Sequence, residues 1–100
     1  MGWADHAKEA LLEGRTVQVK PRGNSMSPLV DSGDTVTLEP AEMNLSVGDI
    51  VLARVRGRDY LHKITAINGD GRFQIGNNRG HSNGWVGESA IYGRVITVEA

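Results

Sequence analysis

Two places in this chain carry side chains that could act together on a carbonyl carbon. Ser25 lies in Pro21-Arg22-Gly23-Asn24-Ser25-Met26-Ser27-Pro28, between two strand-like segments. Pro21 and Pro28 restrict φ there and Gly23 tolerates unusual backbone angles, so the loop can hold one hydroxyl in a fixed pose. His62 and Lys63 lie in Asp59-Tyr60-Leu61-His62-Lys63-Ile64, where titratable groups interrupt an otherwise apolar segment. A serine hydroxyl becomes a useful nucleophile when a base is within hydrogen-bond reach and donors await the oxyanion. His62 suits the base role near neutral pH, and Lys63 suits it if burial lowers its pKa. Neighbouring strand residues point to opposite faces, so only one of the two can readily meet Ser25. Taken alone, the same residues are also ordinary: a serine in a turn and a histidine packed on a strand.

Other chemistries have less to stand on. The chain has no Cys, which removes disulfides, thiolate metal sites and cysteine nucleophiles together and fits a reducing compartment. His6, His62 and His81 show no i,i+4 pairing, so no metal is expected. No glycine-rich phosphate loop is present, and no cofactor is expected. Asp31, Asp34, Asp49, Asp59 and Asp70 all sit in turn-like contexts, where Asx turns account for them. A net charge of −1 without runs of like charge argues against a nucleic-acid partner. Met1–Ala10 carries Asp5, His6, Lys8 and Glu9 and is no signal region, and no apolar run approaches ~18 residues. The expectation is a soluble, cytoplasmic protein without a membrane partner.

The elements that must position these residues follow from periodicity. With 100 residues the chain is expected to form one domain. Trp3, Ala7, Ala10 and Leu11 mark one face of a short helix within residues 1–14, with Gly14 placed to end it. Strands are expected at Thr16–Lys20, Thr35–Glu39, Ile50–Val55, Tyr60–Ile67, Arg72–Ile75 and Ile91–Glu99, giving a β-rich core over 16–99. Arg56-Gly57-Arg58-Asp59 reads as a hairpin turn, and Asn68-Gly69-Asp70-Gly71 as a second, tight one of the primed kind. Gly76–Gly87, with four glycines and three asparagines, reads as a long loop anchored by Trp85 and Val86. The fold class is mostly β: a folded-over sheet or partial barrel with one short N-terminal helix.

Taken in order, the short motifs resemble the signal peptidase and LexA-like serine peptidases. Gly23-Asn24-Ser25-Met26-Ser27-Pro28 is similar to their nucleophile motif, in which Ser-Met marks the catalytic serine. Asp31-Ser32-Gly33-Asp34-Thr35-Val36 and Gly48-Asp49-Ile50-Val51 resemble the two Gly-Asp strand starts, and Asp59–Ile64 resembles the base-bearing strand. Gly76-Asn77-Asn78-Arg79 with Ser82 is similar to the loop that usually reads Gly-Asp-Asn-Arg, and Ile91–Val95 to the closing strand. The resemblance spans roughly Thr16 to Val98. It implies a LexA/signal-peptidase-like β fold and a soluble serine endopeptidase acting in trans on a peptide or protein with small residues before the scissile bond. Ser25 would be the nucleophile and His62 the general base, as in the endoplasmic-reticulum and archaeal type, where a basic residue follows the His. Lys63 is the alternative base, because bacterial members use Lys. Asn24, with the Ser25 backbone N–H, would serve the oxyanion, and Asn77 or Asn78 would orient the base. Asn77 and Gly80 stand where the family carries acidic residues, and no Ala-Gly or Cys-Gly precedes Ser25 for self-cleavage. The alternative implied by those departures is a weak or inactive member that binds an extended peptide or protein partner by strand addition.

Overall fold

Ala7, Ala10 and Leu11 point from one side of a helix into the core, and that stripe decides where the helix lies. The computed structural model describes residues 4–23, 25–41 and 44–100, so Trp3, expected on the same stripe, lies outside the described residues. Helix α1 runs Asp5–Leu12. It ends in a Schellman arrangement: Arg15 N–H bonds the Ala10 carbonyl at 2.9 Å, and Gly14 N–H bonds that of Leu11 at 3.0 Å.

Seven strands follow: β1 (Val17–Val19), β2 (Thr35–Pro40), β3 (Ile50–Val55), β4 (Arg58–Ile67), β5 (Phe73–Gly76), β6 (Ser82–Val86) and β7 (Ile91–Glu99). They form one antiparallel sheet in the order β1-β2-β7-β3-β4-β5-β6, not closed into a barrel. The chain is thus mostly β with one short helix, as its alternating pattern implies. The sheet carries apolar side chains on both faces because it folds over itself. Val36, Leu38, Leu52 and Leu61 meet α1, Met26 and Val30 in one cluster. Val51, Ala53, Val55, Ile64, Phe73, Ile75, Val86 and Ile91 fill the other. Leu52 against Val51 and Ala53, and Leu61 against Ile64, show the strand alternation directly.

Helix α1 crosses β7 at Gly93, where a Cβ would stand 2.7 Å from the Glu39 carbonyl oxygen and 2.8 Å from Leu11 Cδ1. Only glycine lets the helix come that close. Lys8 ties the same helix to the start of β4 through Asp59, with Nζ 2.9 Å from Oδ2.

Three connections differ from the sequence expectation. The first hairpin turns on Arg56 and Gly57 alone, at φ 51° and 81°; two successive left-handed residues make the primed turn that matches strand twist. The second is longer than a two-residue primed turn: Asn68–Arg72 separates β4 from β5. Asn68 Oδ1 accepts the N–H groups of Asp70 and Arg72, each at 3.0 Å, so one side chain organises the bend. The third difference matters most. Gly76–Gly87 is not one long loop, because Ser82–Val86 forms β6 and pairs with β5. Its opening residues, Ser82, Asn83 and Gly84, have little strand propensity, and the pairing with β5 supplies what they do not.

Candidate active site

The segment between β1 and β2 closes on itself before it presents Ser25. Gly33 N–H bonds the Pro21 carbonyl at 3.0 Å, and Ser27 Oγ donates to Asp31 Oδ1 at 2.7 Å. Val30 N–H reaches back to the Met26 carbonyl at 3.0 Å, making a single helical turn whose buried Met26 and Val30 plug the loop into the core. The Ser27–Pro28 peptide is cis. Ser25 stands at the start of this turn, partly exposed.

Asn78 holds the loop from the other side. Its backbone N–H donates to the Ser25 carbonyl at 2.8 Å, and its Nδ2 donates to the Ser27 carbonyl at 2.9 Å. Its Oδ1 accepts from Lys63 Nζ at 2.8 Å. Lys63 is therefore engaged in supporting the loop through Asn78. The ring of His62, on the other side of β4, meets Ser25 itself: Oγ and Nε2 are 3.2 Å apart.

The remaining ring nitrogen of His62 is 2.6 Å from Asn83 Oδ1. An amide oxygen can only accept, so Nδ1 carries the proton and donates to Asn83. In the neutral ring Nε2 is then bare and accepts from the Ser25 hydroxyl. A bulge makes this contact possible: Ile75 pairs with Gly84 and Gly76 with Ser82, leaving Asn83 as the extra residue of β6. Such an insertion re-aims a side chain that regular pairing would direct elsewhere.

His62 is 8% exposed. Burial holds its imidazole below the ordinary value of 6.5; the hydrogen bond with Asn83 opposes this, and the nearby His81 ring adds to the lowering. The Tyr60 ring lies alongside, with centroids 4.9 Å apart. Beside the pair opens a cavity of about 370 Å³, lined in part by Met26, Val30, Leu61, Lys20, Arg22 and Asp59.

Of the other residues singled out from the sequence, Asn77 bonds within its own turn, its Oδ1 accepting Arg79 N–H at 2.8 Å and His81 N–H at 3.0 Å. Asn24 lies outside the described residues. Asn83 was not singled out. The segment around it holds three asparagines, and nothing in their spacing distinguishes the one placed on a bulge.

The Ser25–His62 contact lies where the connection between β1 and β2 meets β4 of this antiparallel sheet. The chain matches the Peptidase S24-like family over residues 6–96 and belongs to that family, within the signal peptidase and LexA-like superfamily. No curated protein shows significant similarity to it. Among the described residues no helix is long and apolar enough to cross a membrane.

Proposed function

We propose that the protein is a serine endopeptidase that cleaves a peptide or protein in trans, with Ser25 as nucleophile and His62 as general base. The observation that carries this reading is the 3.2 Å contact between Ser25 Oγ and His62 Nε2. That separation is within reach for proton transfer in an unliganded site. His62 Nε2 takes the hydroxyl proton as Oγ bonds to the scissile carbonyl carbon. The resulting imidazolium returns that proton to the leaving amine nitrogen as the C–N bond breaks, leaving an acyl ester on Ser25. A water then attacks the ester while His62 takes its proton, and passing that proton to Oγ frees the carboxylic acid product.

Lys63 fits a supporting role better than that of base, since its ammonium donates to Asn78. Peptides with small residues before the scissile bond are the appropriate probes. Cleavage should be removed by Ser25→Ala and by His62→Ala, and largely kept by Lys63→Ala. The rate should rise through one ionisation below pH ~6.5 and then level off. Equal turnover by Ser25→Ala would end the proposal. A rate that survives His62→Ala and climbs only through pH ~8–9 would pass the role to Lys63.

A second reading has one observation in its favour: the partner of His62 is a neutral amide, where a carboxylate would strengthen the base. On that reading the domain binds an extended peptide without cutting it. Saturable binding with no turnover on any peptide would select it.

A further inference from the structure

We infer that Asn83 is the positioning residue of the pair, holding His62 in the tautomer and orientation that leave the Nε2 lone pair on Ser25, and doing so without a charge. The inference rests on the serine peptidase reading for its meaning in catalysis, although its geometry stands by itself. Its starting point is the 2.6 Å contact between His62 Nδ1 and Asn83 Oδ1.

Three features make this more than a chance contact. The ring is buried, so its two nitrogens depend on protein partners, and those partners select the tautomer. The amide oxygen faces the nitrogen remote from Ser25, which is the arrangement that keeps the reactive nitrogen bare. Asn83 is also the extra residue of a β-bulge, so the backbone departs from regular pairing at the position whose side chain reaches the ring.

The neutrality of Asn83 has a separate consequence. A carboxylate at this position would stabilise the imidazolium by charge as well as by hydrogen bonding. An amide offers the hydrogen bond alone. Among the described residues, the other titratable groups near the ring or lining the adjoining cavity are Tyr60 beside it on β4, His81 ahead of β6, and Lys20, Arg22, Asp31 and Asp59. None of these touches Nδ1 in place of Asn83. The pair is therefore oriented from behind by a group that adds no charge.

Nitrogen-15 NMR of the His62 ring tests this directly and does not require activity. In the wild-type protein the neutral ring should carry its proton on Nδ1 with Nε2 bare. Asn83→Asp should keep that tautomer and raise the His62 midpoint by a unit or more, as expected for an adjacent carboxylate (~1–3 units). Asn83→Ala should release the tautomer preference. It should also lower kcat on the order of 10²–10⁴-fold with KM little changed. A neutral ring protonated at Nε2 would overturn the inference, as would an Asn83→Asp variant with an unmoved midpoint. The Asp variant is close in size to the native residue, so it keeps the test open even if Asn83→Ala does not fold. If the NMR responses appear while no peptide is cleaved, the positioning role stands and the peptidase reading fails.

Discussion

Replacing Asn78 by Ala asks how much the nucleophile loop depends on one side chain. The substitution keeps the backbone bond from Asn78 N–H to the Ser25 carbonyl and removes two others, Nδ2 to the Ser27 carbonyl at 2.9 Å and Lys63 Nζ to Oδ1 at 2.8 Å. A neutral hydrogen bond contributes about 1 kcal/mol; the charged one, discounted because Lys63 is only half-buried, contributes about the same, for a loss of about 2 kcal/mol. With an unfolding entropy of roughly 2.1 cal/mol/K per residue over 100 residues, that is a fall in Tm of about 9 °C. Thermal unfolding followed by circular dichroism measures it, and peptide cleavage in the same buffer measures the effect on the site. Cleavage should fall by more than the fraction unfolded explains, because the lost bonds fix the loop that carries Ser25. Asn78→Asp separates the two contacts. It keeps a partner for Lys63 but sets a carboxylate against the Ser27 carbonyl, so it should not restore the rate. A Tm within about 2 °C of wild type for Asn78→Ala would refute the argument that these bonds brace the loop. Full activity in Asn78→Asp would refute the part assigned to Ser27.

Two further outcomes follow from the same structure. Burial makes folded His62 harder to protonate than the unfolded ring, so the unfolded chain takes up more protons as pH falls through 6.5. The His62 contribution to stability should be complete above that pH and decline below it. Denaturant midpoints at pH 7.5 and 5.0 should therefore differ less in His62→Gln than in wild type, and an equal difference would contradict the assignment. Gly93→Ala sets a methyl 2.7 Å from the Glu39 carbonyl oxygen and 2.8 Å from Leu11 Cδ1, and should cost about 1–3 kcal/mol in chemical denaturation. An unchanged midpoint would mean that both the β2 backbone at Glu39 and α1 at Leu11 give way at no cost.

The sequence revealed the site unevenly, and the reason differs from residue to residue. Alternation along β4 separated His62 from Lys63 because each strand residue commits to one face, and Leu61 and Ile64 fall in opposite clusters accordingly. Ala7, Ala10 and Leu11 disclosed the helix because burial on a helix repeats at its own period. Strand β6 was hidden because only Val86 of its five residues is buried, and an outer strand needs no apolar alternation of its own. Asn83 was hidden for a stronger reason. Its direction depends on a bulge, and a bulge is a property of two strands in register, which one stretch of sequence does not express.

That bulge also changes what kind of variation can retune the site. Side chains along a strand alternate, so sliding the pairing of β6 by one residue brings a different residue to face the imidazole. The five-residue turn 77–81 that joins β5 to β6 sets that register, and it also carries Asn78, which braces the nucleophile loop. Such a slip exchanges the group behind His62 only together with the facing of all of β6, because it also turns Val86 out of the core.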